Sequence, residues 1–235
     1  MTQVPVEKKI LSENQRIAAG LREGLEAAGT LSLNFIGSPG AGKTAFLEKT
    51  LSLLPRDARV AVLTGDLQTT NDAVRLARYG FPVRQITTVG ACHLDARMVE
   101  EHLEGLAAQP LDLLLIENVG NLVCPTSYDL GEDAKVVVLS VCEGEDKPLK
   151  YPGIFRKAEV MILSKTDLLP YVPFDAALAR RNAREINPAI EIIETSFPTG
   201  AGFDQWLGWL ASRAARKPAK ARAALSERAM AVSEI

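Results

Sequence analysis

The sequence predicts an α/β fold in which a mostly parallel sheet is covered by helices on both faces. Short apolar runs of strand length alternate along the chain with longer segments of helical spacing. No internal repeat interrupts this alternation. Strands joined by helices run parallel, because each crossover returns the chain to the same end of the sheet.

The composition limits the possible classes of function. The chain has 235 residues, of which 47% are apolar, and this is enough for the core of one large domain. Its net charge of −2 argues against a general nucleic-acid binder. No run approaches the ~18 apolar residues of a membrane span, and no basic and apolar leader begins the chain. We expect a cytoplasmic protein that binds neither nucleic acid nor membrane.

An amphipathic helix is predicted before the first strand. Apolar residues recur there at nearly helical spacing, and Gly29 is a plausible stop. The apolar positions are Ile10, Leu11, Ile17, Ala18, Leu21 and Leu25. We expect this segment, 1–30, to pack on the domain.

A glycine-rich segment at 37–44, G-S-P-G-A-G-K-T, follows the apolar run 31–36 and precedes a helical run at 45–51. Strand, turn and helix in this order are the context of a phosphate-binding loop, so the predicted fold is that of a P-loop NTPase. Glycines let backbone N–H groups surround phosphate oxygens at a helix N-terminus. The candidate nucleotide-binding residues are Gly37, Gly40, Ala41, Gly42, Lys43, Thr44 and Ala45. Lys43 is predicted to reach the β- and γ-phosphates and act in catalysis, and Thr44 to bind Mg²⁺.

The remaining elements follow the same alternation. Further strands are predicted at 59–64, 82–87, 111–116, 134–141, 159–163 and 190–194, and helices at 95–107, 175–186 and 203–211.

Acidic residues follow two of these strands. Asp66 and Glu117 come directly after buried runs, where P-loop enzymes place carboxylates near Mg²⁺, and both are candidate catalytic residues and Mg²⁺ ligands. Gly120 is a candidate sensor of the γ-phosphate through its N–H group. Asp72 could also supply a carboxylate, but a solvated turn or a helix cap explains it equally well.

A possible base-recognition loop, S-K-T-D at 164–167, follows the strand that ends at 163. It resembles the N-K-x-D loop of GTP-binding proteins, with Ser164 in place of Asn. Asp167 would accept hydrogen bonds from guanine, and the stem of Lys165 would lie along the base. The run 195–200 matches the second base-binding loop of such proteins only loosely.

Three further residues could ligate a metal. Cys92, His93 and Cys124 offer two thiolates and an imidazole, a set suited to Zn²⁺ or Ni²⁺. On spacing alone, two lone cysteines and a histidine are more often buried or incidental side chains than metal ligands. Cys124 lies four residues after Gly120, so a metal bound there would move with the predicted phosphate sensor. Cys142 ends an apolar run and is expected to pack in the core.

Four runs together resemble the hydrogenase nickel-incorporation GTPases, the HypB family. They are G-D-L-Q-T-T-N-D at 65–72, C-H at 92–93, E-N-V-G-N-L-V-C-P at 117–125 and E-G-E-D-K-P-L-K-Y-P at 143–152. The resemblance covers roughly residues 6–213.

The resemblance implies a GTPase that forms a homodimer with GTP and delivers nickel during maturation of [NiFe]-hydrogenase. It implies that Cys92, His93 and Cys124 ligate metal at the dimer interface, and that a nickel-maturation protein and the hydrogenase large subunit are partners. Some members carry a cysteine motif or a histidine-rich stretch at the N-terminus. Residues 1–6 contain neither, so tight nickel storage is not expected.

Several alternatives remain open at this level. Lys147 or Lys150 could reach across the dimer to the partner's nucleotide, or could serve only as a surface charge. The chain could be a metabolic kinase or ATPase with inert cysteines, or a metallochaperone for another nickel enzyme such as urease. We divide it into the helix at 1–30, a P-loop GTPase domain at 31–213 and a basic, flexible tail at 214–235.

Overall fold

A seven-stranded parallel sheet forms the centre of the computed structural model, which describes residues 6–66, 70–88 and 90–217. The strand order is β3-β2-β4-β1-β5-β6-β7, and every strand pair is parallel. The strands are β1 Leu31–Gly37, β2 Val60–Asp66, β3 Val83–Thr87, β4 Leu113–Glu117, β5 Ala134–Ser140, β6 Val160–Ser164 and β7 Glu191–Glu194.

Helices cover both faces of this sheet, which confirms the predicted α/β class. They are α1 Val6–Ala28, α2 Lys43–Leu53, α3 Asn71–Ala77, α4 Ala96–Leu103, α5 Lys147–Lys150, α6 Pro152–Lys157, α7 Ala176–Ile186 and α8 Phe203–Ala214. Short 3-10 helices span Cys124–Thr126 and Thr166–Tyr171.

The core forms on both sides of the sheet because its central strands carry buried apolar residues on both faces. All residues of β1 and β4 are buried. On one face Phe35 of β1 packs against Phe46 of α2 and Trp206 of α8, with ring centroids 5.9 Å from each partner. On the other face Ile17 and Leu21 of α1 pack in the cluster that contains α4. Because all the strand pairs are parallel, the carboxyl ends of the strands, with their polar residues, lie at one edge of the sheet.

The first helix is attached to two loops at that edge. Asn14 of α1 is buried, and its Nδ2 donates to the backbone oxygen of Asp129 at 2.8 Å. Its Oδ1 accepts a hydrogen bond from the N–H group of Ala96, also at 2.8 Å. A polar residue on the buried side of α1 therefore contacts the chain just after the Cys92-His93 pair.

The observed boundaries differ from the predicted ones in two instructive places. The helix predicted over 95–107 is α4, which Asp95 caps by accepting from Met98 N at 2.8 Å. It ends at Leu103, because Glu104 is extended and Gly105 has a φ of +65°. The predicted packing of Cys142 is wrong: β5 ends at Ser140, and Cys142 is exposed in the following turn.

The last described residues pack against the domain. Lys217 is only 7% exposed and forms ion pairs with Glu26 of α1 and with Asp133, the latter at 2.6 Å. The remainder of the predicted tail, 218–235, lies outside the described residues. Within the described ranges, every helix is too short or too polar to cross a bilayer.

Candidate nucleotide and metal sites

A cavity of about 470 Å³ opens at the carboxyl edge of the sheet. It brings together most of the residues that the sequence assigned to nucleotide and Mg²⁺. Its lining includes Gly40, Gly42, Lys43, Thr44, Ala45, Asp66, Asp72, Arg75, Glu117, Gly120 and Lys165. Such a concave site at the strand ends is where open α/β sheets bind ligands.

Backbone geometry explains the glycines of the phosphate loop. Gly40 and Gly42 have φ values of +76° and +98°, a region that residues with a Cβ rarely adopt. A Cβ on Gly37 would lie 2.6 Å from the backbone oxygen of Val138 on the neighbouring strand. The loop therefore needs glycine for its turns at 40 and 42 and for close packing at 37.

Lys43 lies folded over this loop. Its Nζ donates to the backbone oxygens of Gly37 at 3.2 Å and Ser38 at 3.3 Å. Burial lowers the pKa of this ammonium, and the nearby Glu117 carboxylate opposes that effect. The side chain is thus held beside the backbone that would surround a phosphate.

Thr44 and Glu117 form a donor set that fits Mg²⁺. Thr44 Oγ1 donates to Glu117 Oε1 at 2.7 Å, whereas Glu117 Oε2 is buried and has no hydrogen-bond partner among the described residues. Burial raises the pKa of Glu117 to about 7. A divalent cation would compensate for the buried charge and use the unpartnered oxygen, and oxygen ligands are those that Mg²⁺ prefers. Asp66 lines the same cavity and could add a second carboxylate.

Asp72 lies in the first turn of α3 and faces the cavity. Its Oδ1 is 3.3 Å from Nη1 of Arg75, whose other amino group pairs with Glu48 at 2.5 Å. Sequence reasoning did not select Arg75, because an arginine in a short amphipathic helix carries no pattern that distinguishes it. Its position in the cavity places a cation near the phosphate loop.

The predicted base-recognition loop contacts the phosphate loop directly. Ser164 Oγ donates to Ala41 O at 2.6 Å, and Lys165 Nζ donates to Gly40 O at 2.7 Å. Lys165 has a φ of +62°, and this left-handed residue turns the chain into the next 3-10 helix. Asp167 Oδ1 is buried and has no hydrogen-bond partner among the described residues, as expected of an acceptor for a ligand.

The second base-binding loop of the prediction lies next to the first. Thr166 N donates to Thr195 O at 3.1 Å, so the start of 195–200 is held against the S-K-T-D loop. The segment 195–200, which matches the second base-binding loop only loosely in sequence, therefore begins beside the loop that carries Asp167.

Cys92, His93 and Cys124 meet in space, although they lie in two separate segments. One donor atom from each lies within 4.8 Å of the others. The two Sγ atoms are 2.9 Å apart, and Cys92 Sγ lies 3.8 Å from His93 Nδ1. Both cysteines are free thiols. The three donors can hold a metal ion and leave a coordination position for a further ligand.

The surroundings of this cluster favour the neutral form of its histidine. Burial lowers the pKa of His93, which favours the neutral imidazole that binds metals. The contact with Cys124 raises the pKa of the Cys92 thiol, so binding would release a proton from it. The ring centroid of Tyr128 lies 3.9 Å from that of His93, so the tyrosine packs against one face of the imidazole. Tyr128 was not predicted, because a tyrosine in a loop gives no sequence signal.

Lys147 lies near the rim of the nucleotide cavity. Its Nζ is 3.5 Å from Ser38 Oγ in the phosphate loop and 3.3 Å from Glu143 Oε2. Lys150, by contrast, points to the exposed Asp146 carboxylate at 2.7 Å.

Comparison with known proteins agrees with this geometry. Residues 32–194 match the family model described as CobW/HypB/UreG, nucleotide-binding domain. The hydrogenase maturation factor HypB of Rhizobium leguminosarum bv. viciae is 48% identical over 221 residues, 94% of this chain and 74% of the relative. The hydrogenase/urease maturation factor HypB of Helicobacter pylori is 43% identical over 193 residues, 80% of this chain and 79% of the relative.

A solved structure gives the same result. The crystal structure of HypB from Helicobacter pylori in complex with nickel superposes with a TM-score of 0.81 at 37% identity, covering 88% of this chain and 98% of that one. The family model covers more than half of the chain, and the relatives match over most of their length. The chain therefore belongs to the HypB family of hydrogenase maturation factors, GTPases with a CobW/HypB/UreG nucleotide-binding domain.

Proposed function

We propose that this HypB-family GTPase binds Ni²⁺ through Cys92, His93 and Cys124 and releases it under the control of GTP, for insertion into [NiFe]-hydrogenase. The observation that carries the proposal is the meeting of these three donor atoms within 4.8 Å, next to the loop that leaves the nucleotide site. The nickel complex of the Helicobacter pylori relative supports the choice of metal. Zn²⁺ accepts the same donors and would compete.

Nucleotide binding in this proposal uses the cavity at the sheet edge. Thr44, Asp66 and Glu117 would hold Mg²⁺, which supplies positive charge next to the phosphates when bound. Lys43 would stabilise the charge that develops on the phosphate oxygens, and the N–H group of Gly120 would contact the γ-phosphate. Asp66 and Glu117 are also the candidates for orienting the attacking water.

A homodimer would complete the metal site. One protomer offers three donors, whereas Ni²⁺ and Zn²⁺ commonly take four or more ligands. A second copy of the cluster across a two-fold axis would supply the missing ones, since such an axis places identical patches face to face. The expected partners are a nickel-maturation protein that exchanges the metal and the hydrogenase large subunit that receives it.

Urease is the second candidate recipient. The Helicobacter pylori relative is named a hydrogenase/urease maturation factor, so a single HypB protein can be associated with both enzymes. Incubation of the nickel-loaded protein with each apo-enzyme subunit, followed by measurement of the nickel in the separated subunit, would distinguish the two, since only the true recipient should take nickel. A kinase or ATPase with inert cysteines is not favoured, because the cysteines converge with His93 on one point.

The metal site is tested by Ni²⁺ titration of Cys92→Ala and Cys124→Ala. Each change removes one of the three proposed ligands. We therefore expect the affinity for Ni²⁺ to fall by at least about 10²-fold, because loss of a ligand costs more than loss of a residue that only hydrogen-bonds to a ligand. Competition with a chromophoric chelator under reducing conditions measures it. Cys142→Ala is the matched control, because Cys142 is an exposed free thiol outside the cluster.

Unchanged Ni²⁺ affinity in both variants would place the metal elsewhere. An equal loss in Cys142→Ala would show that the titration reports thiols in general. Repeating the titrations with Zn²⁺ establishes which of the two metals the site prefers.

Dimerisation is tested by Lys147→Ala. The ammonium of Lys147 lies at the rim of the phosphate loop, where it could contact the nucleotide of a facing protomer. We expect the variant to remain a folded monomer with a non-hydrolysable GTP analogue, whereas the wild type dimerises. Size-exclusion chromatography with light scattering measures the mass.

Lys150→Ala is the control for this experiment, since Lys150 lies three residues away and pairs with Asp146 in solvent. A GTP-dependent dimer of unchanged stability in Lys147→Ala would remove Lys147 from the interface.

A further inference from the structure

Asn121 lies where the loop after β4 touches the phosphate loop. Its backbone forms an isolated antiparallel bridge with Gly37, the first residue of the glycine-rich segment. The preceding residue, Gly120, packs so closely on Pro39 that a Cβ there would lie 2.9 Å from Pro39 Cγ and 3.0 Å from its Cα. A displacement of the phosphate loop at 37–39 must therefore displace residues 120–121.

The side chain of Asn121 extends from this contact to the metal cluster. Its Nδ2 donates to the backbone oxygen of Cys92 at 3.2 Å. Its Oδ1 accepts a hydrogen bond at 2.9 Å from the N–H group of Val123, the neighbour of Cys124. A single amide thus joins the two segments that carry the thiols, and the backbone of the same residue pairs with Gly37 of the phosphate loop.

We infer that Asn121 is the positioning residue through which the nucleotide state sets the separation of Cys92 and Cys124. Asn121 is not one of the three thiol and imidazole donors, and it is not among the residues that line the nucleotide cavity. It acts by holding the backbone at Cys92 and at Val123 to residue 37. The inference rests on the proposed function, because it requires that Cys92 and Cys124 bind Ni²⁺.

Geometry supports asparagine in this role over other residue types. The amide donates and accepts at the same time, and its hydrogen bonds to Cys92 O and from Val123 N end on backbone groups, so these two depend on backbone position. The amide also lies near the Cys92 thiol. Aspartate would keep the acceptor for Val123 N but lose the donor to Cys92 O. Alanine would lose both.

The experiment measures Ni²⁺ affinity of the full chain with GDP and with a non-hydrolysable GTP analogue, and compares the two. In wild type we expect a ratio of affinities in the range of about 5–150, the usual size of coupling between sites. In Asn121→Ala the ratio should fall close to one, while Ni²⁺ still binds because all three ligands remain. In Asn121→Asp the difference in Ni²⁺ affinity between the two nucleotide states should also become small, because the hydrogen bond to Cys92 O is lost.

Asn187→Ala is the matched control. Asn187 has the same hydrogen-bond chemistry after α7: its Nδ2 donates to Phe155 O at 3.1 Å and Ala158 O at 2.9 Å, and its Oδ1 accepts from Ala189 N at 3.1 Å. Its removal should lower thermal stability to a similar degree and leave the affinity ratio unchanged. A purely structural role of Asn121 would make the two variants behave alike.

The possible failures are distinguishable. Wild-type protein that binds no Ni²⁺ would overturn the proposed function. Wild type that binds Ni²⁺ equally in both nucleotide states, or Asn121→Ala that keeps the wild-type ratio, would overturn the role of Asn121 and leave the metal site intact. A ratio that falls equally in Asn187→Ala would also overturn it, because the effect would then follow from general destabilisation.

Discussion

Replacement of Lys43 by alanine is expected to abolish measurable GTP hydrolysis, a loss of at least about 10²–10³-fold in kcat. The ammonium is the only charge that the phosphate loop itself supplies, and it lies over the backbone of Gly37 and Ser38. Two other cations line the cavity, but Lys165 donates to Gly40 O and Arg75 pairs with Glu48. Neither can replace Lys43 without breaking those contacts.

Phosphate release at saturating GTP measures the effect. Lys9→Ala is a suitable control, because Lys9 is exposed on α1 and far along the chain from the loop. Thermal unfolding of the variant shows whether the fold survives. We expect that it does, because the ammonium of Lys43 donates to two backbone oxygens of the phosphate loop and holds no other element in place among the described hydrogen bonds. Undiminished turnover in Lys43→Ala would contradict the assignment of the catalytic loop.

Asp167→Asn is expected to convert the preference for guanine into one for xanthine. Asp167 Oδ1 is buried and has no hydrogen-bond partner among the described residues, so it is available to the donors of guanine. Asparagine presents an N–H group in place of one oxygen and would face a guanine donor, whereas xanthine offers a carbonyl there. Leaving a buried donor unpaired costs about 1–3 kcal/mol, or roughly 5–150-fold in relative affinity.

Competition between GTP and xanthosine triphosphate measures this preference. Asp175→Asn is the matched control: Asp175 caps α7 by accepting from Leu178 N at 2.8 Å, and asparagine caps helices equally well. Its nucleotide preference should stay that of wild type. If Asp167→Asn still prefers GTP as strongly as wild type does, another loop reads the base.

The phosphate loop shows why part of this molecule could be predicted from sequence. Its strand, turn and helix are consecutive, and the requirement for glycine at 40 and 42 is a local property of the backbone. The same holds for the alternation of β1, α2 and β2, since buried parallel strands are continuous apolar runs. The parallel sheet and its helical layers were therefore predicted correctly, as was the HypB family from its four runs.

Element ends were less predictable because they depend on single residues with competing effects. Apolar residues continue past the end of α4 to Ala107, yet the helix stops where Gly105 turns the chain. Cys142 follows an apolar strand but lies one residue beyond its last buried position, and it is exposed. Periodicity indicates that an element exists, and it does not fix where burial ends.

By itself the sequence determined the fold class, the phosphate loop, the types of residue available for base, Mg²⁺ and nickel, and the family. Only the tertiary structure decided that Cys92 and Cys124 meet, that Glu117 is buried beside Thr44, and that Asn121 joins the thiol segments to Gly37. The reason is the strand order. Cys92 follows β3 and Cys124 follows β4, and the sheet places only β2 between these strands, a distance of about 10 Å. Spacing along a chain does not report that neighbourhood, because it arises from the way parallel crossovers arrange strands that are distant in sequence.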